Sequence, residues 1–119
     1  MSHVAQVDVK FTNVEAIKRA CQRMGASFCG KAIVKYYDDT EIGGNVVQLA
    51  GWEYPITIKP DGTLYYDNYE GQWGAIEQLN QFKQLYTIEA AKIAAENEGY
   101  IYTEETLPSG VLKLTIETE

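Results

Sequence analysis

Few side chains in this sequence have the type and spacing that catalysis needs. It holds one histidine, His3, and two cysteines, Cys21 and Cys29, and no serine framed as Gly-x-Ser-x-Gly. A nucleophilic triad requires a nucleophile, a base and an orienting partner, and no such set is readable. His3 beside the terminal amine offers a copper- or nickel-type site only if Met1 is retained. A strand-end histidine is the plainer reading. The cysteines lack the companion ligands that complete a zinc site, so Cys21 reads as a small buried hydrophobe. Asp38-Asp39-Thr40-Glu41 is too short for a calcium loop and lacks its fixed glycine, and is expected as a solvated hairpin shoulder. Neither Gly43-Gly44 nor Gly71-x-x-Gly74 has the spacing of a phosphate loop. The expectation is a protein without metal, cofactor or catalytic residues, and not an enzyme.

Recognition chemistry is better represented. Tyr65-Tyr66-Asp67-Asn68-Tyr69-Glu70-Gly71-Gln72-Trp73-Gly74 packs aromatics, acids and amides between a strand and a helix. Aromatic rings with a polar handle, on a loop held by a rigid scaffold, are the composition of binding surfaces. The candidate contact residues are Tyr66, Asp67, Tyr69, Glu70, Gln72 and Trp73. The plainer alternative has Tyr65 or Tyr66 and Trp73 capping the sheet core. Trp73, just ahead of a helix, is placed either to staple that helix or to face a partner. RNA-binding sheets couple exposed rings to basic residues, and this stretch has none.

Charge adds a second candidate. The 119 residues carry a formal net charge of -7, which disfavours phosphate backbones and hence nucleic acid. The distribution is uneven: net +4 through Lys35 and net -11 from Tyr36 onward. Lys18, Arg19 and Arg23 form the candidate electrostatic patch. It is expected to meet an acidic partner, or the acidic part of a second copy in a homo-oligomer.

These residues need elements to hold them. Ala5, Val7, Val9 and Phe11 alternate with polar residues as in a half-buried strand. A helix follows from Val14 to Met24, capped by Asn13 or by a Thr12–Glu15 box, with Gly25 at its end. Val14, Ile17, Ala20, Cys21 and Met24 share its apolar arc. Turn residues then predict a meander. Gly43-Gly44-Asn45 separates Lys31–Tyr37 from Val46–Ala50, and Pro60-Asp61-Gly62 separates Tyr54–Lys59 from Thr63–Asp67. Ile56 and Ile58 alternate with Thr57 as in a sheet buried on one side. Gly74 to about Gly99 is helical, but its apolar stripe rotates near Tyr86-Thr87, which predicts a kink or a second helix capped by Thr87. Tyr100–Glu104 and Val111–Glu117 form a last hairpin.

The order β-α-β-β-β-β-α-β-β predicts a single α+β domain over residues 1–119. Its mostly antiparallel sheet has about six strands, with two helical regions on one face. Val7, Val9, Phe11, Ile17, Met24, Leu79, Phe82 and Ile116 are the expected core. No apolar run is long enough for a membrane span, no secretory signal is visible, and so few cysteines fit a reducing compartment.

Several of these pieces together resemble the uncharacterised family of hypothetical chloroplast reading frames, also found in cyanobacteria and some phages. The resemblance rests on Met1-Ser2-His3 leading into a strand, on Met24-Gly25 ending a helix, on a strand reaching Asp67, and on Trp73 before the long helix. It continues in Tyr86, in Gly99-Tyr100-Ile101-Tyr102-Thr103-Glu104-Glu105, and in Gly110-Val111-Leu112-Lys113-Leu114. The family's last strand tends to end in a basic residue, whereas this one ends Glu117-Thr118-Glu119. The resemblance implies a fold and a bacterial, plastid or phage origin, and no mechanism.

The functional expectation is a small acidic, non-enzymatic, cytoplasmic adaptor or binding protein that works through protein contacts. Plastid stroma or the cytoplasm of a phage-infected host are equivalent settings. A rival reading is a phage-type inhibitor whose acidic surface imitates nucleic acid or blocks a host protein. It would gather Asp38, Asp39, Glu41, Glu53, Asp67 and Glu70 on one face. A third is a nucleotide- or metabolite-binding module, which needs a deep aromatic-lined pocket.

Overall fold

The computed structural model describes residues 9–118. Helix α1 (Val14–Met24) begins at Asn13, whose side-chain oxygen accepts the Ala16 amide, and ends at Gly25 in the left-handed conformation. Both ends are where capping chemistry put them, and Asn13 rather than the Thr12–Glu15 box makes the cap. Four strands follow, β1 (Ser27–Lys35), β2 (Glu41–Gln48), β3 (Ile56–Ile58) and β4 (Leu64–Tyr65), in an antiparallel meander of that order. Helix α2 (Ile76–Asn97) then leads to β5 (Ile101–Thr106) and β6 (Leu112–Glu117).

The fold is α+β, as expected, but the strands make two sheets rather than one, a four-stranded sheet and the separate β5–β6 ribbon. The long α2 carries the chain away from the meander, and among the described residues the two ribbon strands pair with each other and pack on that helix. Ala5 and Val7 of the expected first strand, and His3, lie outside the described residues. Val9 is 39% exposed and not core, because residues 9–13 join no strand and are held instead by the Phe11 amide on the Gly62 carbonyl, 2.9 Å, and by the Tyr86 hydroxyl, which accepts the Asn13 amide and donates to the Lys10 carbonyl. Ile116 is also exposed rather than core. It stands at the open end of the ribbon, which packs on α2.

One apolar cluster joins Ile17, Ala20 and Cys21 of α1, Leu79, Phe82 and Tyr86 of α2, and Val47, Ile56 and Ile58 of the sheet. Burial of the Cys21 thiol pushes its pKa up to about 11, as befits a packing residue. Helix α2 runs unbroken through Thr87, whose hydroxyl donates to the Lys83 carbonyl inside the helix instead of capping a new one. The stripe rotates because the C-terminal half of α2 has two neighbours: α1 on one side, and the ribbon, with Leu112 against the core, on another. Among the described residues, no helix is long and apolar enough to cross a membrane.

The β1–β2 connection also differs. Its turn is Tyr36–Thr40, closed by the Tyr36 amide on Thr40 and the Asp39 amide on Tyr36, so Asp38-Asp39 is the turn and not its shoulder. Gly43 and Gly44 lie inside β2, paired with Ile33 and Ala32. Beyond them the hairpin tip lies on the sheet face opposite the helices. There the Tyr36 hydroxyl meets the Pro55 carbonyl and the Thr57 hydroxyl, each at 2.8 Å. Thr57 is therefore fully buried, and β3 is covered on both faces rather than one.

Gly44 makes this path possible by passing against β3. A Cβ there would collide with the Ile58 carbonyl oxygen and lie 2.7 Å from its carbon, whereas one on Gly43 meets Ile33 Cγ1 at an ordinary 3.6 Å. Gly44→Ala is expected to cost about 3 kcal/mol, at the upper end for overpacking. Gly43→Ala should stay within ~1 kcal/mol of wild type. Thermal melts of the two variants side by side check this, and equal melting temperatures would refute it.

Candidate functional site

The turn that buries Tyr36 also builds an aromatic row on the same sheet face. Ring centroids run from Tyr65 to Tyr36 at 4.8 Å, from Tyr36 to Tyr54 at 6.0 Å, and from Tyr54 to Trp73 at 5.4 Å. At its outer end Trp73 also meets Tyr37 at 5.1 Å and Tyr69 at 4.7 Å. Tyr37 is 70% exposed, Tyr69 48% exposed, and Trp73 half-buried between them. Tilted and edge-on pairs of this kind suit the ring quadrupole and fix ring positions.

A tightly bonded loop holds Trp73 and Tyr69. The Asn68 carbonyl accepts the amides of Gly71 (3.1 Å) and Trp73 (2.9 Å), and the Asn68 side chain donates to the Gly74 carbonyl at 3.2 Å. Asp67 accepts the Tyr69 amide, and the Glu53 amide donates to the Trp73 carbonyl at 2.7 Å. Tyr69 and Glu70, in a 3-10 turn, have φ of 48° and 53°, a region that costs a non-glycine residue ~1–3 kcal/mol. The loop's own hydrogen bonds offset that strain and keep Tyr69 against the Trp73 ring.

The expected contact residues are thus divided. Tyr69 and Trp73 share the exposed cluster, with Asp67 and Glu70 beside them. Gln72 is exposed at the end of the 3-10 turn. Tyr66 turns away, with its ring edge-on to Trp52 at 5.9 Å. Trp73 does not staple α2. Trp52 does so, donating its indole N–H to the Ala75 carbonyl at 3.2 Å and lying where any Gly74 side chain would go. Tyr37 and Tyr54 belong to the site although periodicity did not mark them. The available signal was a tyrosine next to carboxylates in each of two other connections, Tyr37-Asp38-Asp39 and Glu53-Tyr54.

The cationic candidates lie elsewhere, and two are committed within the chain. Arg23 pairs with Glu89 at 2.9 Å and with Glu104 at 2.7 Å, and Lys92 pairs with Glu89 at 3.1 Å and also with Glu104. Arg19 reaches Glu15 (3.5 Å) and Glu96 (3.4 Å), while Lys18 sits 5.5 Å from the Phe28 ring centroid. Hydrogen bonds from Arg23, then from Lys92, hold the Glu104 carboxyl down to about 2. The Arg19 and Arg23 charges are therefore matched inside one molecule, by carboxylates of α2 and β5.

An open groove of about 560 Å³ lies between Phe11, Val14, Ile33, Gly44, Ile58 and Lys59. Phe11 is the aromatic residue of its lining. No family model, curated protein or solved structure matches this chain significantly. What the fold and the site define is an α+β domain with helices on one sheet face and a partly exposed tyrosine–tryptophan cluster on the other.

Proposed function

We propose that this chain is a non-enzymatic cytoplasmic adaptor or binding protein that docks a partner protein on the cluster of Tyr37, Tyr54, Tyr69 and Trp73. The observation that carries the reading is the loop at Tyr69 and Glu70, which bears backbone strain while leaving large rings open to solvent. Exposed tyrosine and tryptophan on a rigid frame are the usual anchors of protein interfaces. Kinship with the family of hypothetical chloroplast reading frames is part of the proposal, carried by the motifs quoted above.

Tyr69→Ala is expected to change stability by no more than ~1 kcal/mol, the worth of one exposed ring pair. It should weaken partner binding by ~2 kcal/mol or more, as loss of a hot-spot aromatic does. Trp73→Ala should lose both stability and binding, because its ring touches three tyrosines. Affinity capture with quantitative mass spectrometry, comparing wild type with Tyr37→Ala and Tyr69→Ala, tests the reading. Capture of the same proteins in the same yield by all three would end it.

A second reading, the inhibitor that blocks a host protein with acidic groups, draws support from Asp38, Asp39, Glu53, Asp67 and Glu70, which adjoin the clustered tyrosines in sequence. In that case neutralising those acids, rather than removing rings, abolishes capture.

A further inference from the structure

We infer that the aromatic cluster is selective for cationic side chains, so that the docked element is an arginine-bearing basic segment of the partner protein. This rests on the docking role proposed above and specifies its chemistry.

Each tyrosine at the exposed end has carboxylates next to it in the chain: Asp38 and Asp39 beyond Tyr37, Glu53 before Tyr54, and Asp67 and Glu70 around Tyr69. The Glu53 and Asp67 positions are fixed to the cluster by the hydrogen bonds that hold Trp73 and Tyr69. The nearest basic residue in sequence, Lys35, is paired with Asp39 at 3.4 Å. Ring faces attract cations through their quadrupole, and surrounding carboxylates add to the same field.

The same row already displays this preference at its other end, where the Lys59 ammonium lies 5.9 Å from the Tyr65 ring centroid. Lys18 over Phe28 and Lys92 over Tyr102 complete the cation–ring contacts among the described residues, so none involves Tyr37, Tyr54, Tyr69 or Trp73. A planar guanidinium stacks on tyrosine and tryptophan and pairs with carboxylates at once, which favours arginine over lysine.

The test uses the full isotope-labelled chain and follows its two indole N–H signals by NMR. The probes are a hexa-arginine peptide and its neutral isostere, hexa-citrulline. Hexa-arginine should move the Trp73 signal and leave that of buried Trp52 in place, and hexa-citrulline should move neither. Tyr37→Ala and Tyr69→Ala should each weaken hexa-arginine binding roughly threefold, and together roughly tenfold. Both residues are exposed, and unchanged circular dichroism verifies that the variants fold. Equal binding of the two peptides, an unmoved Trp73 signal, or hexa-arginine affinity indifferent to both substitutions would each overturn the inference. The docking role fails separately, by the capture experiment. Variants that lose captured proteins in a chain that ignores arginine retain the role and refute only its cationic chemistry.

Discussion

Phe82→Ala is expected to lower unfolding stability by about 3–5 kcal/mol, a large part of what a domain of this size possesses. Phe82 is fully buried in the N-terminal half of α2, its ring 5.9 Å from that of Phe11, in the cluster shared by both helices and β3. Truncation removes apolar surface from three elements at once and leaves a void that none can close without moving the others. Urea denaturation should show a lower midpoint with little change in slope. Ile116→Ala, on the exposed ribbon end, should stay within ~1 kcal/mol of wild type. If the two substitutions cost the same, Phe82 does not hold the layers together.

The second large effect concerns the ionic cluster between α1, α2 and the ribbon. Glu89 is 5% exposed and lies among Arg23, Lys92 and Arg19. Arg23→Met is expected to cost about 3 kcal/mol. That is the lower end for breaking a buried pair, because Lys92 still faces both carboxylates and the Arg23 side chain is one-third exposed. The same cluster sets an acid response. The Glu104 carboxyl is lowered from its ordinary 4.5 to about 2, so the unfolded chain takes up the proton first as pH falls. Its contribution is fully present above about 4.5 and is lost as pH drops toward about 2. Stability measured across that window should decline less steeply in Arg23→Met than in wild type, since the main cause of the shift is gone. Parallel slopes would show that Arg23 does not hold Glu104 ionised.

Phe82 and Arg23 differ in how far the sequence announced their roles. Phe82 falls on the stripe Leu79–Phe82–Tyr86, and its burial follows from helical spacing alone. The limits of α1 were equally legible, because Asn13 and Gly25 act within one turn of their own positions. So were the Pro60-Asp61-Gly62 turn and the closing hairpin. These are local properties, fixed by backbone geometry and the nearest few side chains.

What the sequence could not state is which distant groups become neighbours. Gly43-Gly44 reads as a turn because glycine suits turns, yet Gly44 is needed because a carbonyl from β3 passes where its side chain would be. Trp52 and Trp73 are indistinguishable by type, but closing the sheet put Trp52 against α2 and Trp73 among tyrosines from two other connections. Arg19 and Arg23 read as a free positive patch until α2 and β5 supplied their carboxylates. The candidate site was therefore half visible: the sequence picked out the Tyr66–Trp73 loop by composition. Tertiary structure alone added Tyr37 and Tyr54 and turned Tyr66 away, because ring contacts across a folded-over hairpin obey no sequence period.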